Sequence, residues 1–271
     1  MKKYFQKMLM LLMGGMLMVA CGGDDNNGNE TPGGTPGGSE GGSTEKEWNK
    51  DNTVNVYYIT SLDDASANGN VEAVAAYIKS NRIKTAIVDN TDIVKYADPA
   101  ACQNASTQLS FQSAKFCSFV MEGYQGENIE GSTIVMSHKL NEVETMPVAE
   151  GCFLQYVPTQ APQLTNASKM ASLPLATVKI STQEQVNAAE EVVKKVTGSP
   201  RKAVIVGEVK TALANALVEK MSAINGMKIS LVAQPVGDYT LFVQGRTWML
   251  REASSAEVGS QKAHLLSIEA L

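Results

Sequence analysis

Histidine is almost missing from this chain: 271 residues hold two, His138 and His264. A hydrolase that relays protons through paired imidazoles needs more than this supply allows, because histidine is the side chain best matched to proton transfer near neutral pH. Cysteine is scarce too, at four, and neither Cys-x-x-Cys nor Cys-His spacing occurs, so a zinc site is not indicated. Aromatics make up only 6 %, leaving few platforms for stacking on sugar rings, and Trp248 is the one tryptophan beyond residue 50. Its strand pattern suits a core position as well as a ligand contact. The formal charge is −5, and no lysine-arginine stripe runs along the chain. Nucleic acid, which is held first through its phosphates, is therefore a poor partner. No apolar run reaches the ~20 residues of a spanning helix.

What is present begins at the amino terminus. Lys2, Lys3 and Lys7 precede the run "MLMLLMGGMLMVAC", a basic head and apolar stretch ending in small residues before a cysteine. "MVAC", Met18 to Cys21, resembles the lipobox of bacterial lipoproteins, with Met where Leu is usual. The resemblance implies a signal peptide over 1–20, cleavage before Cys21, and acylation of Cys21 with palmitate-type chains. Residues 21–50 are rich in glycine, proline and acids and cannot bury enough apolar surface to order themselves, so they read as a tether. Its start, "CGGDD", is similar to the signal that sends some Gram-negative lipoproteins to the cell surface. The expected location is the outer membrane, lipid-anchored and facing outward. Loss of the three signal lysines takes the charge to −8, of which the tether holds −4 and the domain −4.

Residues 51–271 suffice for one domain with one large core. Three cysteines fall in it, Cys102, Cys117 and Cys152; Cys102 and Cys117 could close a short loop, and the odd number leaves at least one thiol free.

Alternating and β-branched residues predict strands at "TVNVYYITSL", "KTAIVDN", "LPLATVKIS", "RKAVIVGEV", "MKISLVAQ", "DYTLFVQG", "TWMLREAS" and "AHLLSIEAL". Helical spacing appears in "NVEAVAAYIKSN" and in "KTALANALVEKMSAI". "TQEQVNAAEEVVKKVTG" carries Thr182 as an N-cap, acids early, lysines late and Gly198 as a stop. "STQLSFQSAKFCSFVMEG" alternates weakly, "GYQGENIEGS" reads as turns, and "STIVMSHKLNEVETMPV" reads as a strand, a turn at 138–141 and an extended piece. The last four strands read as a meander. Strands and helices mingle without strict alternation, which points to mixed sheets with helices outside.

"KAVIVGEVK", residues 202–210, is a strand running into glycine and an acid. Alone it says little. In series with "VYYITSL", "AIVDN", "GSTIVMSHKL", "VKI", "DYTLFV" and "SQK", it resembles the endonuclease/exonuclease/phosphatase superfamily, the metal-dependent phosphodiesterase fold of DNase I, sphingomyelinases and inositol phosphatases. The likeness covers nearly all of 53–271. It implies an α/β (α+β) fold, a two-sheet β-sandwich flanked by helices. It also implies a pocket formed where the family keeps its metal and catalytic groups. Ile59 stands where an asparagine is expected, and Val88-Asp89 where Gln-Glu carries the metal-binding carboxylate. Lys179 takes the place of a histidine. Glu208 and Lys210 replace the aspartate and asparagine of Gly-Asp-x-Asn. Asp238 is kept, and Lys262 replaces the last histidine, with His264 two residues beyond.

The pocket candidates are thus Asp89, Lys179, Glu208, Lys210, Asp238 and Lys262. Lys179 and Lys210 are expected to pair with Glu208 and Asp89 in place of a metal. No cofactor is expected under this reading, and the chain is a tethered domain that binds a protein or glycan. Mg2+ or Ca2+ enters only if the chain is instead an active phosphodiesterase working through Asp89, Glu208, Asp238 and His264. A further reading is a glycan-binding accessory lipoprotein.

Overall fold

The computed structural model describes Trp48 and residues 50–60, 67–89, 94–95, 105–125, 128–137, 139–140, 142–158, 173–232 and 237–271. The expected signal peptide, the expected tether up to residue 47, Cys21, Cys102 and His138 lie outside these. Among the described residues no helix is long and apolar enough to cross a membrane.

The chain enters through β1 (Thr53–Ile59), which runs parallel to β2 (Thr85–Asp89); helix α1 (Ala67–Ser80) connects them. That helix buries Val71, Val74, Ala75 and Ile78, the apolar stripe its spacing dictates. A two-residue strand β3 (Val94–Lys95) and helix α2 (Ala105–Ser113) lead to a long hairpin, β4 (Phe116–Gln125) and β5 (Asn128–Met136). Here two expectations fail. The weakly alternating stretch begins as a helix, held by Ala105 and Leu109 in the core that α1 caps. The segment expected to be turns is mostly strand, belonging to β4 up to Gln125 and to β5 from Asn128.

Next come β6 (Glu144–Ala149) and β7 (Cys152–Val157), the latter not anticipated, and then β8 (Leu175–Thr177) and β9 (Lys179–Ile180). Helix α3 (Gln183–Thr197) starts as expected. The Thr182 side chain accepts from the Gln185 amide while the Gln185 side chain reaches back, and Gly198 ends the helix. Strand β10 (Val204–Lys210), helix α4 (Ala214–Ser222), and strands β11 (Lys228–Leu231), β12 (Tyr239–Gly245), β13 (Trp248–Val258) and β14 (Gln261–Ala270) complete the domain.

Hydrogen-bonded neighbours run β11-β12-β10-β8-β7-β4-β5-β2-β1-β14-β13. The expected meander of the last four strands is therefore two hairpins at opposite ends of this path: β12 pairs with β10 and β11, β13 with β14 alone. Strands β4 and β7 share one residue pair, Gly123 with Cys152, and at this seam the path divides into two sheets. The sheets face each other across an interior built by Val56, Ile87 and Ile134 from one and Val204, Val206, Leu241 and Val243 from the other. Helices α3 and α4 cover one outer face and α1 and α2 the other. The result is a mixed α/β sandwich with helical flanks. Trp248 belongs to its core: it is buried, and its indole donates to the Lys202 carbonyl at 2.7 Å.

Candidate functional site

Strand alternation decides which side chains enter the interior. On β1, Val56 and Tyr58 point inward and Ile59 outward; on β2, Ile87 and Asp89 point inward and Val88 outward. On β10, Val204, Val206 and Glu208 share the inner face. At one end of the sandwich the two sheets thus aim Asp89 and Glu208 at each other, 2 % and 1 % exposed. Strand β9 lies parallel to β10 with Lys179 level with Glu208. The Lys179 ammonium stands 3.2 Å from Glu208 Oε2 and 3.6 Å from Asp89 Oδ1, linking acids from both sheets.

Gly207 makes this approach possible. A Cβ there would come within 2.5 Å of the Val178 carbonyl and 2.9 Å of the Phe242 ring, so no larger residue lets β9 lie this close. The Glu208 amide donates to that same carbonyl at 3.0 Å. Cys152 Sγ donates to the Lys179 carbonyl at 3.4 Å, and the Tyr239 ring lies under the ammonium, 4.6 Å from centroid to Nζ. Tyr239 is itself fixed by a 3.0 Å hydroxyl contact with Ser181.

Two members of the cluster have no counterpart in the sequence reading. Tyr58 is sealed inside, close enough to Asp89, Glu208 and Glu122 to feel their charges. Burial and then the charges of Asp89, Glu208 and Glu122 hold that phenol well above its ordinary pKa. Glu122, 2 % exposed on β4, accepts from Ser132 Oγ at 2.7 Å and Thr177 Oγ1 at 2.5 Å. Burial raises its pKa, opposed by those two hydrogen bonds and by Lys179. For Lys179 burial works against the charge, but Asp89, Glu208 and Glu122 outweigh it and keep the ammonium protonated beyond the usual lysine range.

The remaining candidates do not join. Lys210 is exposed and, among the described residues, forms no ion pair with Asp89 or Glu208, which corrects the expected pairing. It stands one step past the buried part of β10, where the interior opens to water. Asp238 is exposed at the start of β12, its carbonyl accepting from the Thr211 amide at 2.8 Å. Lys262 is exposed, and its backbone brackets Thr60 through two hydrogen bonds of 2.9 and 3.0 Å. His264 shares the inner face of β14 with Leu266, is 1 % exposed and lies opposite Tyr58 in the β1–β14 register. Burial, then Lys262, lowers its pKa. Among the described residues no group of three or more His, Cys, Asp or Glu side chains is arranged as a metal-ligand set.

The sequence matches no family model, and no curated protein matches it. Solved structures do. The endonuclease/exonuclease/phosphatase from Bacteroides vulgatus superposes with a TM-score of 0.55 over 80 % of this chain and 100 % of its own, at 11 % identity. A protein of that description from Beutenbergia cavernae gives 0.55 over 81 % and 72 %, at 8 % identity. One from Leptotrichia buccalis gives 0.51 over 79 % and 99 %, at 8 % identity. This chain has the endonuclease/exonuclease/phosphatase fold. The sequence resemblance expects Asp89 and Glu208 at carboxylate positions and Lys179 at a histidine position, and these three side chains meet in the structure. Ile59 and Val88 are buried on the opposite sheet face, in the core under α1 and α2, so Tyr58, not Ile59, is the residue of β1 that reaches the cluster.

Proposed function

We propose that the chain is an outer-membrane lipoprotein, anchored through Cys21 and displayed at the cell surface. Its endonuclease/exonuclease/phosphatase-type domain has given up metal-dependent hydrolysis and works by binding a protein or glycan. The observation that carries this reading is the Lys179 ammonium between Asp89 and Glu208. Unit charges about 4 Å apart at an effective dielectric of about 20 interact by about 4 kcal/mol, and a divalent ion doubles that repulsion against an ammonium. The residues present therefore do not fit a resident divalent cation, and no hydrolytic step is derived through one. Asp89, Glu208 and Glu122 against one lysine also make the pocket unwelcoming to phosphate. The Gly207, Asp89 and Glu208 positions keep the frame of an active site while an internal ammonium offsets part of its charge.

The deciding measurement is hydrolysis of bis(p-nitrophenyl) phosphate by the full chain, with and without Mg2+ or Ca2+. No turnover above the buffer rate is expected. Metal-dependent turnover abolished by Glu208→Ala would overturn the reading and make the chain an active phosphodiesterase. The anchor is tested apart from this: the mature wild-type chain should carry acyl mass on Cys21, and Cys21→Ala should release it from membranes.

A further inference from the structure

The pocket's charge pattern supports a more specific statement, which rests on the reading that Lys179 excludes a metal. A divalent cation in a site of this kind does two jobs, neutralising carboxylates and tying together the strands that carry them. Lys179 does both here. Its ammonium reaches Asp89 on β2 of one sheet and Glu208 on β10 of the other. It is also held in place rather than reaching for water. The side chain is 10 % exposed, and Tyr239 lies against its ammonium at 4.6 Å. Its strand is seated by the Val178–Glu208 backbone hydrogen bond over Gly207. A flexible surface lysine would be free to swing its head outward.

The substitution is incomplete in charge. One ammonium faces two carboxylates from opposite sheets, and Glu122 adds its field from the same interior. The groups that meet the ammonium in ion pairs are carboxylate oxygens, the donors that suit hard cations such as Mg2+, Ca2+ and the lanthanides. Mg2+ in particular is commonly held by one or two carboxylates with water completing its shell. We propose that Lys179 is a tethered replacement for a divalent cation, and that removing its ammonium turns Asp89 and Glu208 into a site for a hard metal ion.

The test uses the full chain, its Lys179→Met variant and the Lys179→Met/Glu208→Gln double variant. Terbium emission excited through tyrosine, with Tyr58 beside the carboxylates, reports occupancy, and thermal unfolding with Mg2+ or Ca2+ reports linkage. The double variant gives the background from acidic segments elsewhere. Wild type is expected to match that background and to show no cation-dependent shift. Lys179→Met is expected to give saturable emission above it. Its Tm should rise by about 5–10 °C at a cation concentration about a hundredfold above the dissociation constant. Binding in wild type that Glu208→Gln removes overturns the proposal, as does a folded Lys179→Met that stays at background. If Lys179→Met is unfolded alone, recovery of its circular dichroism on adding the cation supports the proposal, and failure to recover at any concentration overturns it. Hydrolysis by wild type without divalent ions would sink the binding reading and leave this inference standing. Silent wild type with an unresponsive Lys179→Met would do the reverse.

Discussion

His264 lies directly opposite Tyr58 across the β1–β14 pairing, and both side chains are closed to solvent. Among the described residues its Nε2 has no hydrogen-bond partner, so a proton gained there would be a buried charge next to Lys262 on the same strand face. The folded-state pKa is accordingly depressed, whereas the unfolded chain titrates near ~6.5. The unfolded state therefore binds more protons, and this group's contribution is full above ~6.5 and lost as pH falls toward the depressed value. Urea unfolding between pH 7.5 and 5 should show wild type losing more stability than His264→Gln. Equal losses would remove His264 as a cause.

Glu122 has the opposite sign. Its folded-state pKa is raised, so its contribution is present below the ordinary glutamate range and declines as pH rises through the raised value. Gln resembles the protonated acid in shape and keeps an acceptor for Ser132 and Thr177. Glu122→Gln should flatten that decline, while Glu122→Leu should cost about 1–3 kcal/mol by stranding two buried hydroxyls. Urea midpoints across pH distinguish these, and a Leu variant as stable as Gln would contradict the assignment.

Lys179→Ala, measured without divalent ions, should destabilise the domain by about 3–5 kcal/mol, because it leaves buried carboxylates without their ammonium. Adding Glu208→Gln should recover part of that loss. A double variant no better than the single one would show the pair to be energetically uncoupled.

How much of this was open to view in the chain follows physical lines. Strands whose apolar faces repeat locally, such as "KAVIVGEV", announce themselves, and so does α3 with its Thr182 cap. Strand β7 was missed because both its faces are largely buried, which erases alternation, and Pro158 and Thr159 follow it at once. Helix α2, "ASTQLSFQS", has no apolar stripe of its own and owes its state to neighbours distant in sequence. Asp89, Lys179 and Glu208 were found by their order along the chain. Tyr58 and Glu122 were not, since a one-residue difference in strand phase decides which side chain enters the interior. Lys210 failed for a related reason: it shares the phase of Glu208 but sits past the end of the cover.

Gly207→Ala should lower the urea midpoint with little change in slope, at a cost of about 1–3 kcal/mol, because the new methyl meets a carbonyl and a ring with no room to yield. A neutral result would mean that β9 can retreat from β10.

Thr182→Ala should cost about 1 kcal/mol, since the amide of Gln185 loses its acceptor at the start of α3. Thr182→Ser, which keeps the oxygen, should restore most of it.

The seam at Gly123 and Cys152 carries one further consequence. Along most of the strand path, backbone amides zip neighbouring strands into continuous ladders, and such ladders resist shear over their whole length. At the seam a single rung stands where a ladder would be, so the halves are joined there mainly through side chains. A pulling force or a slow opening fluctuation should part the two sheets of the sandwich along this line first, with the lysine of β9 acting as the rivet that yields last.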